Sequence, residues 1–103
     1  MPYLVRVTDR AWRDLEAIYE FIEADSSERA YSWFNDLVKA IGSLERFPLR
    51  GAVTPESQKL RQLLFGEDPN TYRIIYATNK RKRVVSVLHV RHGARDAFES
   101  EER

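Results

Sequence analysis

The chain has 103 residues, 43% of them hydrophobic and 32% charged, a formal net charge of +1 and no cysteine. That balance excludes a disordered chain, a disulfide framework and a thiolate metal site, and it predicts one domain over residues 1–103 with a single modest core. No apolar run approaches the roughly 20 residues of a membrane helix and the N-terminus lacks the apolar segment of a secretory signal, so a cytoplasmic location without membrane contact is expected.

Residues 3–7 read as a short strand, with Tyr3, Val5 and Val7 on one face and Leu4 and Arg6 on the other. Thr8 or Asp9 can cap the helix that follows, whose apolar stripe is Ala11, Leu15, Ile18 and Ile22, widened by Trp12 and Tyr19. Asp25-Ser26-Ser27 ends that helix and offers caps for a second one. The second stripe runs through Ala30, Trp33, Phe34, Leu37, Ile41 and Leu44 and stops at Phe47-Pro48, because proline cannot donate the helix hydrogen bond. So short a connection predicts an antiparallel helical hairpin.

Residues 48–58 contain Pro48, Gly51 and Pro55 and no clear period, which predicts a loop crossing to a sheet. Residues 60–65, 72–78 and 84–90 then read as three strands joined by turns at 66–70 and 79–82. The expected architecture is α+β in the order β-α-α-β-β-β, a helical hairpin packed on an antiparallel sheet.

Charge is unevenly spread along this order. Residues 59–95 hold nine Lys and Arg against two acids, residues 1–58 hold seven bases and ten acids, and residues 96–103 hold one base and four acids. A nearly neutral protein with one strongly basic sheet has a place for an anion. Arg73 opens an otherwise apolar strand. It can be an arginine paired with a carboxylate, or a guanidinium presented to a phosphate. Arg61, Tyr76, Arg91 and Arg95 complete the candidate anion or target surface, and Tyr72 or Tyr76 could stack on a base. His92 is the nearby group whose ordinary pKa suits proton exchange near neutrality, so a ribonuclease would use His92 with Arg73 and Arg95. Two histidines, His89 and His92, without a third ligand make a poor metal site, and no metal or cofactor is expected. The run Lys80-Arg81-Lys82-Arg83 reads as a solvated turn. Strict alternation places Val84, Ser86, Leu88, Val90 and His92 on one face of the last strand, and Val85, Val87, His89 and Arg91 on the other.

Tyr72-Arg73-Ile74-Ile75-Tyr76, followed by Leu88-His89-Val90-Arg91-His92-Gly93-Ala94-Arg95-Asp96, resembles the RelE/ParE superfamily of type II toxin–antitoxin toxins. The resemblance extends to the first strand, the helical pair with Trp33, the Phe47-Pro48…Gly51 connection and Leu60-Arg61-Gln62-Leu63. It implies a growth-inhibiting toxin neutralised by a cognate antitoxin, as in plasmid-stabilisation systems. RelE-like members are ribosome-dependent mRNA endonucleases, whereas ParE-like members inhibit DNA gyrase. Arg73 matches a phosphate-contacting arginine of the RelE pattern, with Arg91 or Arg95 near a second. The paired lysines of RelE are absent from Leu60-Arg61-Gln62-Leu63-Leu64, and its terminal tyrosine has no counterpart in Ala97-Phe98-Glu99-Ser100. The expectation is therefore a ParE-like, gyrase-directed toxin. An mRNA interferase using His92 and a degenerate antitoxin-binding module without toxicity are the alternatives.

Overall fold

The computed structural model describes residues 2–93. The chain opens with strand β1 (Leu4–Val7) and enters helix α1 (Asp9–Phe21) through Thr8, whose hydroxyl accepts the Ala11 N–H at 3.2 Å. The same hydroxyl donates to the Val87 carbonyl at 2.9 Å, so the cap also ties the helix start to the sheet. Glu23 takes a left-handed φ of 53°, ending the helix, and Ser27 caps helix α2 (Glu28–Gly42) by accepting from the Ala30 N–H at 3.2 Å. The helices meet as the expected hairpin, with Tyr19 edge-on to Phe34 at 5.0 Å between ring centroids. The apolar stripe runs past the end of α2: the chain tightens into a 3-10 turn at Ser43–Glu45 that keeps Leu44 fully buried before Pro48.

Four further strands follow: β2 (Ala52–Val53), β3 (Arg61–Phe65), β4 (Tyr72–Asn79) and β5 (Val84–His92). They form one five-stranded sheet with β1, in the order β1-β5-β4-β3-β2. Strands β3, β4 and β5 make the expected antiparallel meander. The sheet as a whole is mixed, because β1 pairs parallel to β5 from Leu4↔Val84 to Val7↔Val87. The stretch expected to be only a loop contributes β2, held to β3 by two residue pairs at the sheet edge.

One face of the sheet packs on the hairpin. Its core joins Leu63, Tyr72, Ile74, Tyr76, Val85, Val87 and Val90 to Ala11, Leu15, Ile18, Leu37, Ile41 and Leu44. Strict alternation along β5 fails here. Tyr76 pairs with Val87 while Ile75 pairs with His89, so Leu88 is an extra residue and the register shifts. Such a bulge inverts the side-chain parity beyond it. Val85 and Val87 therefore share the helix side with Val90 and His92, and Ser86, His89 and Arg91 have the opposite parity along the strand.

Candidate functional site

On the helix side the sequence-predicted residues are tied into the fold. Tyr76 is fully buried, and its hydroxyl accepts the Gly51 N–H at 3.0 Å. Burial pushes its phenol above the ordinary value, opposed by that hydrogen bond. A Cβ on Gly51 would lie 2.5 Å from the Gln62 carbonyl oxygen and 2.8 Å from the Tyr76 hydroxyl, so only glycine lets the loop approach this closely. Arg61, the register partner of Tyr76, donates from Nη1 to the Gly51 carbonyl at 2.7 Å and to Leu49 at 3.4 Å. Arg61 and Tyr76 thus come together, around one loop backbone.

His92 is 3% exposed and packs edge-on against Tyr72 at 5.1 Å. Tyr72 continues through Trp33 (5.5 Å) to Phe65 (5.3 Å from Trp33), forming an aromatic row between α2 and the sheet end. Tyr72 and Tyr76, both buried, present no free ring face for a stacked base. Beside this row, Phe21, Ile22, Ala30, Trp33 and Tyr72 line an open groove of about 360 Å³, at whose mouth Phe21 is 64% exposed.

The opposite face holds the other half of the candidates. Arg73 and Arg91 are direct register partners across β4 and β5, an arrangement that is unfavourable for two like charges. Glu56, reaching over from the loop between β2 and β3, answers Arg73 with both carboxylate oxygens, at 3.0 and 2.7 Å. Gln62 Oε1 accepts from Arg73 Nε at 2.6 Å, completing the donor fork. The hydrogen bonds from Arg73 hold the Glu56 carboxyl below its ordinary value, against the raising effect of its burial. This is the carboxylate-paired arrangement of the two that the sequence allowed for Arg73. Arg91 has no such partner: among the described residues its Nε is buried without a hydrogen bond, and no carboxylate pairs with it.

The sheet therefore separates the ribonuclease candidates. Adjacent strand residues point to opposite faces, which puts Arg73 and Arg91 on one side and His92 on the other. Arg95 lies outside the described residues. The run from 80 to 83 is exposed at the β4–β5 turn, where Asn79 Oδ1 accepts the Lys82 N–H at 2.9 Å. Among the described residues no three His, Cys, Asp or Glu gather as metal ligands.

The sequence reading missed three contributors. Glu56 and Gln62 act through contacts 17 and 11 residues away, and no local pattern marks them. Asp14 reads as a surface acid of α1, yet its carboxylate accepts the Val90 N–H at 2.9 Å and lies 4.0 Å from His89 Nδ1. It covers the edge of β5 that β1, ending at Val7, leaves open.

The toxin–antitoxin complex RelBE2 from Mycobacterium tuberculosis contains a chain similar at 30% identity, matched over 89% of this chain and 99% of that one, with a TM-score of 0.59. The chromosomal ParDE system from P. aeruginosa shares the fold at a TM-score of 0.67 and 21% identity, over 87% and 95% of the two chains. A doubly substituted E. coli RelE in the free state shares it at 0.63 and 16% identity, over 91% and 86%. No curated protein sequence gives a significant match. The family pattern described as ParE toxin of type II toxin–antitoxin system, parDE, matches residues 5–97. With nine-tenths of its length inside that pattern, the chain belongs to the ParE toxins of type II toxin–antitoxin systems, within the RelE/ParE superfamily.

Proposed function

We propose that this toxin arrests growth by binding its target rather than by cleaving RNA, and that the target is DNA gyrase. The observation that carries this reading is the division of the ribonuclease candidates. RNA cleavage by transfer of the 2′-hydroxyl needs a base, an acid and cations around one phosphate. Here Arg73 is clasped by Glu56 and Gln62 on one face, while His92 is buried against Tyr72 on the other. A phosphate held by Arg73 would have the sheet between itself and the imidazole. The absence of a lysine pair from β3 supports the same reading.

The test is message cleavage on translating ribosomes. Purified toxin should leave mRNA intact, with the same result in His92→Ala. Codon-specific cleavage that disappears in His92→Ala would overturn the proposal. The similarity to RelBE2 at 30% identity favours that second reading, a ribosome-dependent mRNA interferase. Expression of folded protein without growth arrest would instead favour the degenerate antitoxin-binding module.

A cognate antitoxin is the proposed partner, since similar chains occur in toxin–antitoxin complexes. An acidic, amphipathic segment suits the basic sheet and the groove lined by Phe21, Trp33 and Tyr72. The toxin acts where gyrase and ribosomes reside, which makes the cytoplasm its proposed location. No helix among the described residues is long and apolar enough to cross a membrane.

A further inference from the structure

We infer that the Arg73–Arg91 pair on the outer face of the sheet is a receptor for a carboxylate of an acidic protein segment, and that Glu56 is its built-in occupant. The identity of the partner rests on the proposed function, and the site on the geometry of the sheet.

Two arginines are register partners on neighbouring strands, and the one carboxylate that reaches them, that of Glu56, engages Arg73 alone. Glu56 satisfies Arg73 in bidentate fashion and leaves Arg91, among the described residues, without an ion pair and with its Nε unbonded. A buried donor without a partner is costly, so the site favours an additional acceptor or a shared one. Arg73 and Glu56 have side chains 13% and 22% exposed, open enough for exchange with an incoming acid. Glu56 is carried on the 54–60 connection rather than on a regular strand, so it can withdraw without breaking the sheet.

The chemistry of the surroundings selects a carboxylate on a peptide over a nucleic-acid phosphate. The occupant already present is a planar carboxylate in the fork geometry that guanidinium matches. Leu64, the register partner of Arg73, is 57% exposed on the same face, whereas Ile75, next but one to Arg73 in the strand, is fully buried. An exposed leucine next to an arginine pair fits a segment with both acidic and apolar side chains. The polybasic run suited to a phosphate backbone lies elsewhere. Lys80 is seven residues along the chain from Arg73, about 23 Å at strand rise. An acidic segment on Arg91 can add to Glu56, and one that also takes Arg73 must displace it.

The test uses the full chain, labelled with ¹⁵N, and a pentaglutamate peptide, read at the Arg Nε–H resonances. The Arg91 signal should shift saturably. Glu56→Gln should tighten binding by about tenfold, the value of removing one charge-assisted competitor. Arg91→Gln should weaken it by at least about tenfold, and Arg91→Lys, which keeps the charge but not the fork, should fall between. Unchanged affinity in both Glu56→Gln and Arg91→Lys overturns the inference even if Arg91→Gln fails to fold. A single-stranded oligonucleotide that shifts the Arg91 signal at lower concentration than the peptide also overturns it, in favour of nucleic acid. Gyrase inhibition, measured on the same preparations, separates the two readings. Its absence leaves peptide binding intact, and loss of peptide specificity with inhibition intact removes only the carboxylate receptor.

Discussion

Replacing Glu56 by Gln keeps the size of the side chain and removes its charge from Arg73. In the native pair both carboxylate oxygens accept from the guanidinium, at 3.0 and 2.7 Å. The amide retains one acceptor and turns an NH₂ group toward a donor. Exposed ion pairs are worth about 0–1 kcal/mol, and breaking fully buried ones costs about 3–5 kcal/mol. With side chains 13% and 22% exposed the pair lies between these limits, and a loss of about 2 kcal/mol is expected at neutral pH. The sign with pH follows from linkage. The folded-state pKa of Glu56 is depressed below the ordinary value of 4.5. Its contribution is therefore present in full above that value and lost as pH falls through the depressed one. Urea unfolding followed by the fluorescence of Trp12 and Trp33 should show the wild-type advantage at neutral pH. The advantage should shrink in acid, where the wild-type carboxyl takes up its proton and the Gln variant does not titrate at this site. An offset that is equal at neutral and acid pH, or no offset at all, would refute the reasoning.

The remaining predictions concern the supports of the two faces. Tyr76→Phe removes the acceptor of the buried Gly51 N–H and should cost about 1–3 kcal/mol in chemical denaturation. Gly51→Ala forces a methyl group against the Gln62 carbonyl; a loss of about 1–3 kcal/mol is expected, measured in the same way. Thr8→Ala deletes both the α1 cap and the bond to Val87, which should lower stability by about 1–2 kcal/mol. Asp14→Ala uncovers the Val90 N–H, and hydrogen exchange at Val90 should accelerate more than at Ile74 in the centre of the sheet.

Much of the fold was legible because its signals are local. Thr8 and Ser27 cap where side-chain chemistry allows, the two helical stripes are those that reach the core, and the meander strands carry their own turns. The parallel partner of β1 was not legible, since nothing in Leu4–Val7 encodes a contact some 80 residues away. The bulge at Leu88 left no mark in an apolar run of valines, yet it reassigns the faces of β5. The candidate site followed the same division. Residue type identified Arg73, Arg91 and His92 as chemically interesting, and the adjacent positions of Arg91 and His92 already separated them by face. Whether Arg73 met a carboxylate depended on Glu56, a single acid in a loop without period.

The most direct measurement is supercoiling of relaxed plasmid by purified DNA gyrase with ATP, titrated with this toxin at concentrations that arrest growth. A toxin that acts by binding gyrase should suppress supercoiling, and His92→Ala, if folded, should suppress it equally. Undiminished supercoiling at those concentrations would contradict the account.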